Sequence, residues 1–428
     1  MTACLRVAAM QLRAHDRRDF PRVCELIADD VQRVASHADL IVLPEATFPA
    51  YVIGNAAIDM RAVETALERL RRIASATRTV IVVGAAAANG AVRNAAFVID
   101  ADGSLAGRTD KLFLWHFDRR WFSPGERIEP IATAVGVLGV LICADGRLPT
   151  IARHLVDRGA AALVMPTAWV TSGRDPHRLE NAQADLLGRV RAYENRVPFV
   201  AANKCGSELG MVAYCGKSQI VNPQGEIVAI AGEREPETLF GSIVLGSEAP
   251  QRSTVPPPQM TGAHFDGPLR LAISIDPLPE DIDARIEVLD DGYALSPCDP
   301  ESLTALCRKL PAAAVEDSVV LDPAGLVAYR RANYALICWS TALGDPWSER
   351  IARARAMELR LYIVVFDRSM HRAFAVDPDG TIVAGTFDGY RLASFALDPR
   401  KTTETTVAPG SDVGVGLARI AEIIDAPA

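Results

Sequence analysis

Apolar and polar positions alternate along the first 246 residues in a pattern that predicts short buried strands separated by amphipathic helices. The continuous apolar runs at 5–12 (LRVAAMQL) and 38–44 (ADLIVLP) are typical of strands covered on both faces. Between them, apolar residues recur every three or four positions from Phe20 to Val34, which is the period of a helix with one buried face. Further strands are predicted at 79–86, 95–103, 135–145, 161–169, 198–203 and 218–228, and further helices at 63–73, 152–159 and 189–197. This alternation predicts a layered α/β domain.

The pattern is interrupted at 248–267, where three consecutive prolines stand among Ser, Thr and Gln residues. Such a segment has too few apolar residues to form a core, and we predict an extended linker. Beyond it the strand and helix pattern resumes to the end of the chain. We therefore predict a domain over 1–247, a linker over 248–267 and a smaller α/β domain over 268–428.

The second segment repeats part of the first. Residues 353–367 (RARAMELRLYIVVFD) align without a gap with 189–203 (RVRAYENRVPFVAAN), and 373–385 align with 218–230. The order of the matching blocks agrees, although the connections between them are shorter in the second copy. A degenerate partial repeat of the first domain is the interpretation that we favour over a chance likeness between helix–strand–turn units.

Composition and charge exclude several classes of function. The formal net charge of −8 gives no basis for binding nucleic acid or an anionic membrane, and every apolar run is too short to span a bilayer. The N-terminal residues lack the features of a signal peptide, so we expect a cytoplasmic protein. The eight cysteines include no CxxC pair and no cluster with metal-ligand spacing. We predict reduced cysteines, no metal and no other cofactor.

Three polar residues stand where apolar segments give way to loops, the places where α/β sheets usually carry their sites. Glu45 follows a buried strand and a proline, and desolvation there favours a general base. Lys111 lies among apolar and aromatic neighbours, where an ammonium group can stabilise an oxyanion. Cys143 ends the strand GVLGVLI, at a constrained corner suited to a nucleophile. Each residue alone is more simply a surface glutamate, a lysine on an aromatic surface or a buried thiol.

Together, the three motifs resemble the nitrilase superfamily of Glu-Lys-Cys hydrolases over residues 4–246. The motifs LPEATFP, GRTDKLFLW and GVLICADGRLP carry the resemblance, followed by PTAW and RAYENRVPFVAANK. The resemblance implies an α-β-β-α sandwich. It also implies a second acidic residue between the Lys and Cys motifs. Asp118, seven residues before the glycine of a Pro-Gly turn, is one candidate and Glu126 is the other.

The resemblance also implies a mechanism, in which Cys143 is the nucleophile, Glu45 the base, and Lys111 and the Ala144 amide hold the oxyanion. The sequence C-A-D-G-R after the strand is similar to that of the amidase branches, so amide, carbamoyl or ureido substrates are expected rather than nitriles. Acyl transfer to an amine and a non-catalytic scaffold are the rival functions.

Three tryptophans are candidate walls of the substrate pocket: Trp115, Trp121 and Trp169.

The expected partner is a small amide-type molecule. Family resemblance further implies a homo-oligomer. In the second segment the stretch DSVVLDPAG stands in place of the Cys motif, and we expect residues 268–428 to carry no chemistry.

Overall fold

A computed structural model of the chain describes residues 4–54, 57–171, 177–246, 248, 250–253, 268–276, 293–296, 312–387 and 392–425. The helices are α1 Phe20–Ala35, α2 Met60–Thr77, α3 Pro149–Asp157, α4 Gly188–Asn195, α5 Asp317–Leu321, α6 Pro323–Arg331, α7 Trp347–Leu359, α8 Pro399–Thr403 and α9 Val413–Asp425. Short 3-10 turns cover Arg17–Asp19, His116–Arg120 and Cys143–Arg147, and a π-helical turn covers Gln183–Leu187.

The strands of the first part of the chain are β1 Cys4–Arg13, β2 Leu40–Val42, β3 Val80–Asn89, β4 Ala91–Ile99, β5 Leu105–Asp110, β6 Ile131–Thr133, β7 Gly136–Val140, β8 Ala162–Pro166, β9 Phe199–Ala202, β10 Lys204–Glu208, β11 Val212–Cys215, β12 Gln219–Val221, β13 Ile227–Ile230 and β14 Glu237–Val244. The remaining strands are β15 Leu269–Ile273, β16 Tyr293–Leu295, β17 Ala312–Val315, β18 Leu336–Thr341, β19 Tyr362–Asp367, β20 Arg372–Val376, β21 Ile382–Gly385, β22 Ala393–Leu397, β23 Thr406–Ala408 and β24 Ser411–Asp412.

The chain divides into two compact units, the first made of residues 1–250 and 408–428, the second of residues 251–407. The predicted boundaries differ from this division in one respect, because 408–428 belong to the first unit rather than the second. The reason is that α9 packs against α3. Most of the predicted linker, residues 254–267, lies outside the described residues.

The first unit is the predicted α-β-β-α sandwich. One sheet has the order β11-β10-β1-β2-β3-β4-β5, with β14 also paired to β1, and the other has the order β13-β12-β9-β8-β7-β6. Helices α1 and α2 pack on the first sheet through a large apolar cluster, and α3 and α4 pack on the second. Strands such as β8, buried at every residue, are covered on both faces, and this explains their unbroken apolar sequences.

The central strands of both sheets run parallel, β1-β2-β3 in one and β7-β8-β9 in the other. The loops at their carboxyl ends therefore lie on one edge of each sheet. A backbone hydrogen bond from Glu45 N to Thr167 O, 3.2 Å long, joins the loop after β2 to the loop after β8. This edge carries the candidate site.

The second unit has its own five-stranded sheet, in the order β17-β18-β19-β20-β21, and a three-stranded sheet, in the order β16-β15-β22. Its core lies between these strands and contains Leu271, Leu336, Val364 and Phe395. Helices α5, α6 and α7 pack on one another, and α7 packs on β19. The strand YALICWST, predicted from its apolar run, is β18.

Among the residues that the structure describes, no helix combines the length and the apolar character needed to cross a bilayer.

Candidate active site

The loop after β2 holds Glu45 against strand β3. A side chain at Gly84 would collide with the Glu45 backbone, because a Cβ there would lie 2.5 Å from the Glu45 Cα. Gly84 N–H donates instead to the Pro44 carbonyl at 3.1 Å. The close approach of the two backbones requires glycine, and it leaves the Glu45 side chain fully buried.

Three fully buried charged groups meet at Lys111. Its Nζ donates to Glu45 Oε1 at 2.7 Å and to Asp118 Oδ2 at 2.6 Å. Burial alone would lower the pKa of Lys111, but the charges of Asp118 and Glu45 outweigh it and hold that pKa well above its usual value. Lys111 is therefore a permanent cation between two carboxylates.

One oxygen of Glu45 is available for chemistry. Oε1 accepts hydrogen bonds from Lys111 and from Asn94 Nδ2, the latter at 2.7 Å. Oε2 is buried and has no hydrogen-bond partner among the described residues. A buried carboxylate oxygen without a partner is costly in a folded protein, and such groups concentrate at functional sites.

Cys143 lies at a strained corner. The sequence predicts that its strand extends to residue 145, but β7 ends at Val140 and Cys143 begins a 3-10 turn. Its φ is +47°, a conformation that non-glycine residues rarely adopt. The side chain is 5% exposed, so the sharp turn places the thiol inside the site rather than on the surface.

The surroundings of Cys143 keep it protonated at rest. Burial, assisted by the charge of Glu45, raises the pKa of the thiol well above its ordinary value. The charge of Lys111, a hydrogen bond with Thr167 and the backbone of Ala168 act in the opposite direction and do not compensate. A thiol in this state needs a base before it can attack a carbonyl carbon.

The carboxylate of Asp145 joins the lysine segment to the cysteine segment. Its Oδ1 accepts from Leu112 N–H at 3.1 Å and Phe113 N–H at 2.7 Å, and its Oδ2 accepts from Ile142 N–H at 3.1 Å. Burial raises its pKa to about 7, against the opposing effects of the Phe113 N–H and the Lys111 charge. Asp145 thus fixes the distance between the two segments that carry Lys111 and Cys143.

A second buried ion pair supports the glutamate loop from the other side. Lys204 Nζ donates to Glu208 Oε1 at 2.7 Å and to the Ala46 carbonyl at 3.1 Å. Glu208 in turn accepts from the backbone N–H groups of Tyr51 and Val52. Ala46 has a φ of +45°, and the pair holds this strained residue beside Glu45.

Of the two candidates for the second acidic residue, the structure brings only Asp118 to Lys111. Glu126 lies on the surface, with a 78% exposed side chain that pairs with Arg93 at 2.7 Å. The 3-10 turn His116–Arg120 explains the difference, since it folds Asp118 back toward Lys111.

The three candidate wall tryptophans are placed differently. Trp121 packs with the small apolar cluster of Ile53, Leu114 and Phe122. Trp115 is partly exposed, with the Arg147 guanidinium 4.5 Å from its ring centroid. Trp169 is 1% exposed, and its Nε1 has no hydrogen-bond partner among the described residues.

Ala144 is the second residue of the turn that Cys143 begins. The first backbone bond of that turn runs from Asp145 N–H to Ile142 O, at 3.0 Å. The Ala144 N–H therefore precedes the hydrogen bonds of the turn, and its role as an oxyanion donor stays a prediction. Within the described part of the chain, no group of three or more His, Cys, Asp or Glu side chains is arranged to hold a metal ion.

Sequence reasoning missed several residues of the site. Asn94 is a fully buried amide on β4, within the sequence RNAAFVID, and its polarity in an apolar strand was the available signal. The positions of Lys204 and Glu208 become meaningful only when distant segments are brought together.

The chain matches known proteins over its first unit. A family model described as carbon-nitrogen hydrolase matches residues 6–252. The "hydrolase in pqqF 5′ region" of Pseudomonas protegens is 35% identical over 219 residues, which cover 48% of this chain and 74% of the relative. The N-carbamoylputrescine amidase of Solanum lycopersicum is 32% identical over 170 residues, covering 37% of this chain and 57% of the relative.

Solved structures resemble the same region. A mutant amidase from Nesterenkonia sp. AN1, whose structure shows the product of acrylamide addition at its active-site cysteine, is 27% identical with a TM-score of 0.50. The match covers 55% of this chain and 92% of that one.

Proposed function

Because the chain belongs to the carbon–nitrogen hydrolase family, we propose that it hydrolyses a small amide, carbamoyl or ureido group through an acyl-thioester on Cys143. Membership of this family makes the protein an enzyme that acts on carbon–nitrogen bonds other than peptide bonds. The observation that carries the finer proposal is the buried contact of Lys111 with Glu45 and Asp118, together with the influence of the Glu45 and Lys111 charges on the Cys143 thiol.

In the first half-reaction, Glu45 Oε2 takes the proton of the Cys143 thiol as the sulfur attacks the carbonyl carbon. The carbonyl oxygen becomes an oxyanion, which the Lys111 ammonium and the Ala144 N–H stabilise. The carbon–nitrogen bond then breaks, Glu45 returns its proton to the departing nitrogen, and ammonia or an amine leaves. Asp118 keeps Lys111 charged and oriented through these steps.

In the second half-reaction, a water molecule replaces the departed amine. Glu45 accepts a proton from the water, whose oxygen attacks the thioester carbon, and the same oxyanion contacts serve again. The carbon–sulfur bond breaks and the proton returns to Cys143. The balance is one water consumed for one carboxylic or carbamic acid and one amine released.

Two comparisons support an amide-type substrate. The relative from Solanum lycopersicum is an N-carbamoylputrescine amidase, and the solved relative from Nesterenkonia is an amidase. The resting thiol of Cys143 also suits this reaction, since proton transfer to Glu45 accompanies attack and a proton is then ready for the leaving nitrogen.

The test is intact-mass detection of an acyl adduct after incubation of the full chain with a panel of small amides, ureas and nitriles. We expect the adduct on the Cys143 peptide with amide or ureido compounds, and none in the Cys143→Ala variant. Adducts only with nitriles would replace the proposal by nitrile hydrolysis. An increased yield of acylated amine over acid when hydroxylamine is added would favour acyl transfer.

The homo-oligomer implied by the family resemblance stays a prediction. Light scattering of the full chain tests it, and a mass equal to the 46.0 kDa monomer across a wide concentration range would contradict it.

A further inference from the structure

The last helix of the chain, α9, is part of the first unit although residues 251–407 separate it in sequence from the rest of that unit. Its buried side chains are Val413, Leu417 and Ile420. At Gly416 an added Cβ would lie 2.8 Å from the Phe113 ring and 3.1 Å from Leu148. The helix therefore lies directly against the residues that follow Lys111, at a distance that only glycine permits.

Arg419, on α9, holds both ends of the segment that follows Lys111. Its Nη1 donates to the Leu112 carbonyl at 2.7 Å, and its Nη2 donates to the Gly125 carbonyl. Leu112 and Gly125 flank the loop that carries Asp118, and Gly125 N–H is itself bonded to the Lys111 carbonyl at 2.8 Å. One guanidinium group thus closes this loop from outside the sandwich.

A second contact lies in the middle of the same loop. Ser411 Oγ is fully buried and accepts the backbone N–H of His116 at 2.7 Å. His116 has a φ of +49° and begins the 3-10 turn that brings Asp118 to Lys111. A strained residue persists only where its surroundings hold it, and Ser411 supplies part of that support.

We propose that Ser411 and Arg419 are positioning residues for the reaction, acting through the 112–125 loop to place Asp118 and Lys111. The expected loss of kcat rests on the proposed function. The expected change in the 112–125 loop does not depend on it. Neither side chain touches Glu45, Lys111, Asp118 or Cys143 in the described contacts. Their effect on the site is transmitted by the backbone of the loop.

The kinetic test uses the full-length protein with Arg419→Ala and Arg419→Lys. We expect Arg419→Ala to lower kcat about 10- to 100-fold with a much smaller change in KM, because it displaces the oxyanion-stabilising cation rather than a substrate contact. Lysine can reach only one of the two carbonyls, so Arg419→Lys should recover part of the loss.

The matched control is Val415→Ala, on the exposed face of the same helix, where the side chain is 61% exposed. We expect its kcat to equal that of the wild type. Ser411→Ala should lower kcat by a smaller factor, about three- to tenfold, and Ser411→Thr, which retains the hydroxyl acceptor, should restore it.

A readout independent of turnover separates this inference from the proposed function. In hydrogen–deuterium exchange, Arg419→Ala should accelerate exchange of the 112–125 peptide, while Val415→Ala should not. The pH profile of Cys143 alkylation by iodoacetamide should also move in Arg419→Ala, since displacement of Lys111 changes the charge that faces the thiol. If no amide is hydrolysed even by the wild type, the proposed function fails and these two measurements still decide the inference.

Unchanged kcat, unchanged exchange of 112–125 and an unchanged alkylation profile in Arg419→Ala would overturn the proposal. If Arg419→Ala does not fold, the variants Ser411→Ala and Ser411→Thr decide. Equal kcat values for Ser411→Ala and the wild type would then overturn the proposal. Equal losses of kcat in Arg419→Ala and Val415→Ala would also overturn the proposal, since both losses would then reflect a general destabilisation of α9.

Discussion

The two units share a strand arrangement and differ at the corner where the first unit holds its thiol. Strands β7-β8-β9 are parallel and continue into antiparallel β12 and β13, with a bulge between β12 and β13 at Ile220/Val221. Strands β17 to β21 repeat this order and these directions, with a bulge at Ala375/Val376. The likeness extends to the other sheet of each unit. Strand β15 pairs parallel with β16 and antiparallel with β22, just as β1 pairs parallel with β2 and antiparallel with β14.

The strand registers allow matching positions to be named. The aligned residues Phe199 and Ile363 pair with Leu163 and Ile337, so β8 and β18 match position by position. Leu138, opposite Ala162, therefore matches Ala312, opposite Leu336. Five residues beyond each of these lie Cys143 and Asp317, which occupy the same place. An independent contact agrees with this match. Arg191 Nε donates to Gly146 O, and Arg355 Nε donates to Val320 O, each three residues beyond the matched corner.

The matched corners have different chemistry. At the first, a thiol faces Glu45 and Lys111; at the second, Asp317 Oδ1 accepts the indole N–H of Trp339 at 2.8 Å. Residues 43–135 connect β2 to β7, and they include the hairpin of β4 and β5, which ends directly before Lys111. The corresponding connection between β16 and β17 consists of residues 296–311. At the matched corner, the described residues of the second unit place a carboxylate where the first unit has its thiol, and the degenerate repeat predicted from the sequence stays a prediction. The two units therefore share the strand framework of the corner and differ in the residues at it and in the length of the connection that precedes it.

The largest expected difference is between Cys143→Ala and Asp317→Ala. The first variant should lose turnover by about 10⁴-fold or more, because no other group can form the thioester. The second should keep the wild-type kcat, since its carboxylate accepts the Trp339 indole N–H within the second unit. Steady-state assays on both proteins measure the contrast, and a comparable loss in Asp317→Ala would assign chemistry to the second unit.

The next difference concerns the matched buried ion pairs, Arg191–Glu194 and Arg355–Glu358, both almost without solvent exposure. Arg191→Met and Arg355→Met should each destabilise the protein by about 3–5 kcal/mol, because each removes the cation beside a buried carboxylate. Only Arg191→Met should also lower kcat, since Arg191 supports the turn after Cys143. Denaturant unfolding and kinetics test this, and equal kcat values for the two variants would contradict it.

The charges around Cys143 predict the pH dependence of its alkylation. Because burial and Glu45 raise the pKa of the thiol, the rate of modification by iodoacetamide should keep rising with pH beyond the range of an ordinary cysteine, about pH 8.5. Glu45→Gln removes a negative charge and should shift the profile to lower pH, whereas Lys111→Met should shift it to higher pH. Peptide mass spectrometry follows the Cys143 peptide. A wild-type plateau below pH 8 would mean a resting thiolate and no need for the base.

The smallest expected effect sharpens the choice of the second carboxylate. Glu126→Gln removes the exposed contact with Arg93, and should leave both stability and kcat almost unchanged. Asp118→Asn, by contrast, removes a charge that faces Lys111 and should lower kcat at least tenfold. Similar kcat values for the two variants would overturn the assignment to Asp118.

Apolar runs and motifs predicted much of this structure, because buried parallel strands leave a clear signal. The sandwich of the first unit is confirmed, and Glu45 and Lys111 meet as their strand-end positions suggested. The end of β7 at Val140 was not predictable, since an apolar run does not reveal where a backbone adopts positive φ. The roles of Asn94 and Arg419 depend on contacts between residues far apart in sequence, which no local pattern encodes.

The position of α9 has a consequence for synthesis of the protein. Domains fold largely in order as the chain leaves the ribosome, at about 5–20 residues per second. Residues 251–407 are translated between the two parts of the first unit, a delay of roughly eight to thirty seconds at that rate. During that interval the nascent sandwich has its nucleophile but lacks the helix that closes the lysine loop. If Ser411 and Arg419 place the lysine loop as proposed, the site is complete only after the second unit has been translated.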